Sequence, residues 1–332
     1  MKRGNWLFLI PLTLTLSVGA IACGRSSGHH QGRSIPATGT ALNGVWGASA
    51  SDVFAVGRDA DENSALILHY DGSAWSAMVI GPAAASSTPT ALYGVWGTSA
   101  SEVFAVGDGI WRYDGAAWSP MANAMAASLY AVWGASPSDV FAVGPDETIL
   151  HYDGSDWSPM SNGATATDWY DVWGSSAADV FAVGREYAPG AKPAVGVALH
   201  YDGSSWSGVN PGSAAWLSGV WGSSASDVFA VGESNSTNGP GVILHYDGSS
   251  WSTMPNDDTA GGLLCGVWGG SASNVYAVGA NLDWSVVLRY DGSSWSTVSG
   301  GFVGSQIWYS VWGSSASDVF AVGTAGILHL EG

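Results

Sequence analysis

One phrase is written seven times along this chain, and that repetition restricts the fold more than any other feature. The stretch from Gly219 to Ser252 carries it in full: GVWGSSASDVFAVG, a variable insert, then VILHYDGSSWS. The tryptophan of the VWG core recurs at Trp46, Trp96, Trp133, Trp173, Trp221, Trp268 and Trp312, at spacings of 50, 37, 40, 48, 47 and 44 residues. The Tyr-Asp-Gly of the second half begins at Tyr70, Tyr113, Tyr152, Tyr201, Tyr246 and Tyr290. The seventh repeat stops before it.

Each repeat offers four short strands. The DVFAVG segment, Asp52 to Gly57 in the first repeat, is rich in Val and Phe at alternating and adjacent positions, so both of its faces are apolar. The ILHYD segment reads as the third strand and the WSxM or WSxV segment as the fourth. Asp-Gly between them is a hairpin signal, because glycine tolerates the positive φ of a tight turn. Spacings near 44 residues with about four strands per unit predict an all-β fold, a seven-bladed β-propeller of four-stranded antiparallel blades. The last blade has three strands and is incomplete unless the N-terminal segment closes it, with residues 32–38 as the candidate. The expected domains are a lipoprotein-type signal peptide at 1–22, a tether and possible closing strand at 23–41, and the repeat array at 42–332.

The links between strands fall into two classes. The first-to-second link and the third-to-fourth link keep one length in every repeat. The second-to-third link does not: 11, 4, 6, 15, 12, 9 and 5 residues separate the DVFAVG-type glycine from the His or Arg of the third strand. The link to the next repeat varies as well. In an up-and-down blade the variable links emerge on one side of the disc and the constant links on the other. Variation carried on a rigid scaffold is where binding is usually placed.

With nine basic against 27 acidic residues, the formal net charge is −18, which excludes nucleic acid as a partner because phosphate contacts need clustered Lys and Arg. The start of the chain has the layout of an export signal: Lys2 and Arg3, an apolar run from Leu7 to Val18, then Ala20-Ile21-Ala22-Cys23. Those last four residues resemble a bacterial lipobox, which implies lipidation of Cys23. Gly24 after the cysteine resembles the sorting pattern for the outer membrane. The expected location is therefore outside the cytoplasm, lipid-anchored to a bacterial outer membrane on its periplasmic side or at the cell surface, with membrane contact through the anchor alone. A monomer is expected. Cys265, the other cysteine, has Asn43, Tyr93, Tyr130, Tyr170, Ser218 and Tyr309 as its repeat counterparts and reads as a packing residue.

Candidate chemistry is sparse. His69, His151, His200, His245 and His329 share one repeat position, but Arg112 and Arg289 occupy it in two repeats, and arginine does not ligate a divalent cation. The shared property is a cationic donor, so pairing with a repeat carboxylate is expected, and no metal site. The Asp59-Ala-Asp61-Glu-Asn63 stretch alternates oxygens as calcium loops do, without the glycine and closing glutamate of an EF-hand. Thirteen of the 19 tryptophans belong to the repeat and read as core. Trp284 has no repeat equivalent and, with Tyr187, is a candidate for stacking on a sugar or gripping a peptide. Asp59 and Asp61 complete the candidate ligand-binding set. No nucleophile, base and orienting group interrupts the repeats, so no catalytic residue and no cofactor is expected.

The FAVG, ILHYDG and following Trp of each repeat, over residues 42–330, resemble the bacterial BNR or Asp-box type of propeller repeat, including the group related to the photosystem II stability factor. The usual Asp-box sets Asp five residues before Trp, and here Asp247 precedes Trp251 by four. The VWG and Tyr-Asp-Gly-x-x-Trp phrases are also similar to tectonin lectin repeats. The resemblances imply a non-catalytic propeller that binds a protein or carbohydrate partner at the cell envelope through its variable face. The alternatives are a sialidase-like glycan-active enzyme, which would need an arginine cluster around a carboxylate, and an envelope assembly scaffold.

Overall fold

The computed structural model describes residues 31–35, 40–59, 62–81, 89–122, 128–187, 195–212, 214–234, 239–256, 262–281, 284–298, 306–324 and 326–331. They form antiparallel sheets in which each repeat opens with its VWG strand on the inside and steps outward through its second, third and fourth strands. The VWG strands stand side by side in chain order, and the last, Trp308–Ser315, lies beside the first, Thr40–Ser49. The sheets therefore close into a ring, a β-propeller.

The expectation of seven separate four-stranded blades is corrected by the hydrogen bonding. The strands assemble into six sheets, five of four strands and one of eight. Repeats five and six share the large sheet through Glu233, on Asp227–Ser234, and Leu263, on Gly262–Ser271. The cause is a short third strand. In repeat five it begins at Val242, opposite Gly232, so nothing from its own repeat pairs with Glu233 on that edge, and Leu263 takes it. In repeats one and four the third strands reach far enough to cover Asp59 and Glu186.

Gln31–Ile35 pairs antiparallel with Gly326–Glu331 and supplies the fourth strand of the sheet that the last repeat begins. Residues 1–30, with the expected signal and Cys23, lie outside the described residues.

The core sits between successive repeats. The phenylalanine of each second strand packs on the third-strand tyrosine and fourth-strand tryptophan of the next repeat. Phe54 meets Tyr113 and Trp118, with ring centres 5.9 and 6.2 Å apart, and Phe320 meets Tyr70 and Trp75 at 5.9 and 6.2 Å to close the circle. Each such aromatic pair is worth about 0.5–1.5 kcal/mol beyond its buried area. Repeat six faces a seventh repeat that lacks both partners, and there a tyrosine replaces the phenylalanine. The Tyr276 hydroxyl donates to the carbonyl oxygen of Ala316 at 2.9 Å, joining the repeats by a hydrogen bond instead.

The constant face is built from turn chemistry. In the first repeat Asp71 Oδ1 accepts the N–H groups of Ser73 and Ala74 at 2.8 and 2.9 Å, and Gly72 turns the chain at φ +88°. The Ser73 hydroxyl donates to the same oxygen at 2.6 Å. These donors, the Ser73 hydroxyl first, hold the Asp71 carboxyl down at about 2.

Candidate functional site at the mouth of the central channel

The VWG strands do not alternate as a plain period of two predicts. In six of the seven repeats a bulge falls between the Leu or Trp four residues before the VWG tryptophan and the small residue two before it, as between Leu42 and Gly44 or Trp169 and Asp171. The extra residue of the bulge is the one three before the tryptophan, and the bulge turns it toward the propeller axis. Tyr93, Tyr130, Tyr170 and Tyr309 hold this position in four repeats, and Asn43, Ser218 and Cys265 in the other three. Together with Trp216 and Leu263 they line a cavity of about 340 Å³ at the channel mouth on the variable face. None of these lining residues carries a formal charge.

The aromatic rings run continuously around one side of the mouth. Tyr93 meets Tyr130 edge-on at 5.8 Å, Tyr130 stacks on Tyr170 at 5.6 Å and 15°, and Tyr170 meets Trp216 at 5.9 Å. Burial raises the phenols of Tyr93, Tyr130 and Tyr309, so these are neutral hydroxyls. Burial also pushes the Cys265 thiol up to about 12, which removes it as a nucleophile at neutral pH.

Below the mouth the channel narrows to a space of about 140 Å³ lined by the small residues and the VWG valines. Asp171 stands there where other repeats carry Gly, Ala or Ser. Its Oδ1 accepts the N–H of Val172 at 2.9 Å and its Oδ2 the N–H of Val220 at 2.8 Å, tying repeat four to repeat five. The half-buried Asp171 side chain lines this space. Burial accordingly raises the carboxyl to about 7 against the pull of the two N–H donors.

Of the residues singled out from the sequence, Tyr187 joins this site. It is 40% exposed at the rim, with its hydroxyl 3.2 Å from that of Tyr170 and donating to Asp168. Trp284 is 55% exposed in repeat six, where its backbone N–H donates to Asn281 Oδ1 at 2.7 Å, and it is not among the residues that line the cavity. Asp59 ends the second strand of repeat one, where its carboxylate accepts the Glu62 N–H at 3.1 Å. Asp61 lies outside the described residues. Among the described residues no group of three His, Cys, Asp or Glu side chains is placed to hold a metal ion.

The repeat histidines pair with the carboxylate that opens the second strand of their own repeat. His69 Nε2 lies 2.9 Å from Asp52, and His200 and His329 lie 2.6 Å from Asp179 and Asp318. Arg112 takes Glu102 through two nitrogens at 2.5 and 2.8 Å, and Arg289 Nε donates to Asn274 at 3.0 Å.

Sequence reasoning passed over the tyrosine ring, Trp216 and Arg185. A signal for the ring was present: a position that accepts Tyr, Asn, Ser and Cys is not a uniform core site, and four tyrosines there bring four hydroxyls to one axis. Without the bulge their direction cannot be read.

No protein-family model matches the chain. No curated protein matches it either. Among solved structures the chain is similar to YCF48 bound to D1 peptide, with a TM-score of 0.66 at 13% identity, covering 92% of this chain and 98% of that one. YCF48 from Cyanidioschyzon merolae gives 0.63 at 13% identity, over 91% and 98% of the two chains. The WD40 β-propeller domain of Doa1 gives 0.65 at 11% identity, over 92% and 97%. At such identities the likeness is one of fold.

Proposed function

We propose that this chain is a non-catalytic propeller that binds a segment of another protein across the aromatic mouth of its channel. The observation that carries the reading is the ring of four tyrosines with Trp216 around an uncharged cavity on the variable face. Such side chains present large, stiff, amphipathic contact surface at little cost in rotamer entropy. The fold likeness to YCF48, a propeller whose structure holds a D1 peptide, supports a peptide over other ligands. The mouth offers a neutral thiol and the Ser218 hydroxyl but no base beside either, which supports binding without chemistry. Export and anchoring through a lipid on Cys23 complete the proposal, on the strength of the leader alone, and place the partner at the cell envelope.

The test is affinity selection by the full chain from a synthetic random dodecapeptide library with free C-termini. It is run beside the Tyr130→Ser/Tyr170→Ser variant, whose new side chain is the one Ser218 already supplies at that position. Enrichment by the wild type that is lost in the variant, with the melting temperature retained, supports the reading. No enrichment, or equal enrichment by the variant, overturns it.

A further inference from the structure

Arg185 sits at the rim of this mouth without an anionic partner. It lies on Asp179–Glu186, past the glycine of the second strand, and its guanidinium packs on two aromatic rings. The ring centres of Tyr187 and Trp216 are 4.8 and 5.1 Å from it. Trp216 is itself part of the cavity wall. The cross-strand neighbour of Arg185 is Asp168, the obvious carboxylate to pair with it. Asp168 is engaged elsewhere: it accepts the Tyr187 hydroxyl and the N–H of Asp146. Arg185 forms no ion pair with any described residue, and its Nε is buried without a hydrogen-bond acceptor.

That arrangement is unusual in a chain of net charge −18, where carboxylates outnumber cations threefold. A buried N–H with no acceptor costs free energy that a bound acceptor would restore. Two rings packed on it limit the guanidinium's freedom to turn, and its fork of N–H donors matches a planar, two-oxygen anion, which is the geometry of a carboxylate. The Trp216 indole N–H and the Ser218 hydroxyl in the cavity wall are likewise buried without partners, and both can donate.

Resting on the peptide reading above, we infer that the mouth selects segments carrying a carboxylate, an Asp or Glu side chain or a free C-terminus, and that Arg185 receives it while the tyrosine ring holds the neighbouring residues. Aromatic stacking sets the contact area and Arg185 sets which peptides are accepted.

The experiment takes the peptides selected by the wild-type full chain and resynthesises each in three forms: unchanged, with Asp and Glu replaced by Asn and Gln, and with an amidated C-terminus. Titration calorimetry is run against the wild type, Arg185→Gln and Arg185→Lys. Removal of the responsible carboxylate is expected to weaken binding at least tenfold, and the two altered forms show whether it is a side chain or the terminus. Arg185→Gln should weaken the unchanged peptide by a similar factor and leave the carboxylate-free peptide's affinity unaltered. Arg185→Lys should recover only part of the loss, since an ammonium lacks the fork. Peptides that bind wild type equally with and without carboxylates overturn this inference and leave the peptide reading standing. A library from which nothing is selected overturns both.

Discussion

The indole of Trp312 occupies the space beside Gly47: a Cβ on that glycine would come within 2.5 Å of the ring. Trp312 belongs to the last repeat and Gly47 to the first, so this contact is part of the seam that closes the ring. The same relation runs around the whole circle, Trp46 over Gly97, Trp96 over Gly134 and so on to Trp268 over Gly313. The VWG phrase thus encodes both halves of a latch, the ring that reaches forward and the bare backbone that receives it. Glycine is required here for space.

Gly47→Ala is therefore expected to destabilise the fold by about 1–3 kcal/mol, the range for overpacking a filled site. The carbonyl of Asp52, 2.9 Å from the same Cβ position, leaves the backbone little room to yield. Urea unfolding measures the loss. Adding Trp312→Phe should return part of it, because the smaller ring vacates the space the methyl enters. A double variant no more stable than the sum of its two changes would show that the latch is not the source of the cost.

Asp171 makes stability depend on pH. In an unfolded chain an aspartate titrates near 3.9, while burial holds this one at about 7. Between those values the folded protein binds the extra proton, so this group's contribution falls as pH rises from about 4 and levels off above about 7. The full effect is on the order of 2–4 kcal/mol for a shift of that size. Asp171→Ser should flatten the slope between pH 5 and 8, since Ser310 already shows a hydroxyl serving this position by accepting the Val45 N–H at 3.4 Å. Urea midpoints at the two pH values, wild type against variant, decide it; an unchanged slope would remove Asp171 as its source.

Gln31–Ile35 covers the backbone edge of Gly326–Glu331. Deleting residues 1–35 leaves that edge unpaired, and an open strand edge recruits other chains. A lower melting temperature and a shift toward larger species in size-exclusion chromatography are the expected result. A truncated protein that melts with the full chain and stays at the same elution volume would show that the pairing adds nothing.

Much of the architecture is legible in the sequence. Spacing of the VWG tryptophans, the doubly apolar second strand and the Asp-Gly turns all require antiparallel hairpins stacked about an axis, because each repeat is too small to bury its aromatic residues alone. The pairing of the third-strand histidines with repeat carboxylates also followed from arginine standing in for histidine. The sheet count did not. Whether repeats five and six remain separate depends on where the third strand of repeat five starts, at Val242, and on Leu263 lying within reach of Glu233. Nothing local in the sequence marks that encounter.

The candidate site divides in the same way. Tyr187 stood out in the sequence as an aromatic residue in a long variable link, and it does stand at the rim. Trp284 stood out on the same grounds and lies elsewhere, because an exposed aromatic residue announces itself by composition while its reach toward the axis depends on how its link folds. Arg185 was visible only as one of few arginines. Its meaning comes from Tyr187 taking the carboxylate of Asp168, a competition between three side chains on two strands.

Sequence by itself determined the repeat, the strands within it and the two faces of the disc, since those rest on local periodicity, turn chemistry and link length. Tertiary structure alone decided which side chains meet at the axis. A one-residue bulge in the inner strands of repeats two, four and seven turns Tyr93, Tyr170 and Tyr309 toward the axis, and that change of register gathers them with Tyr130 around one opening.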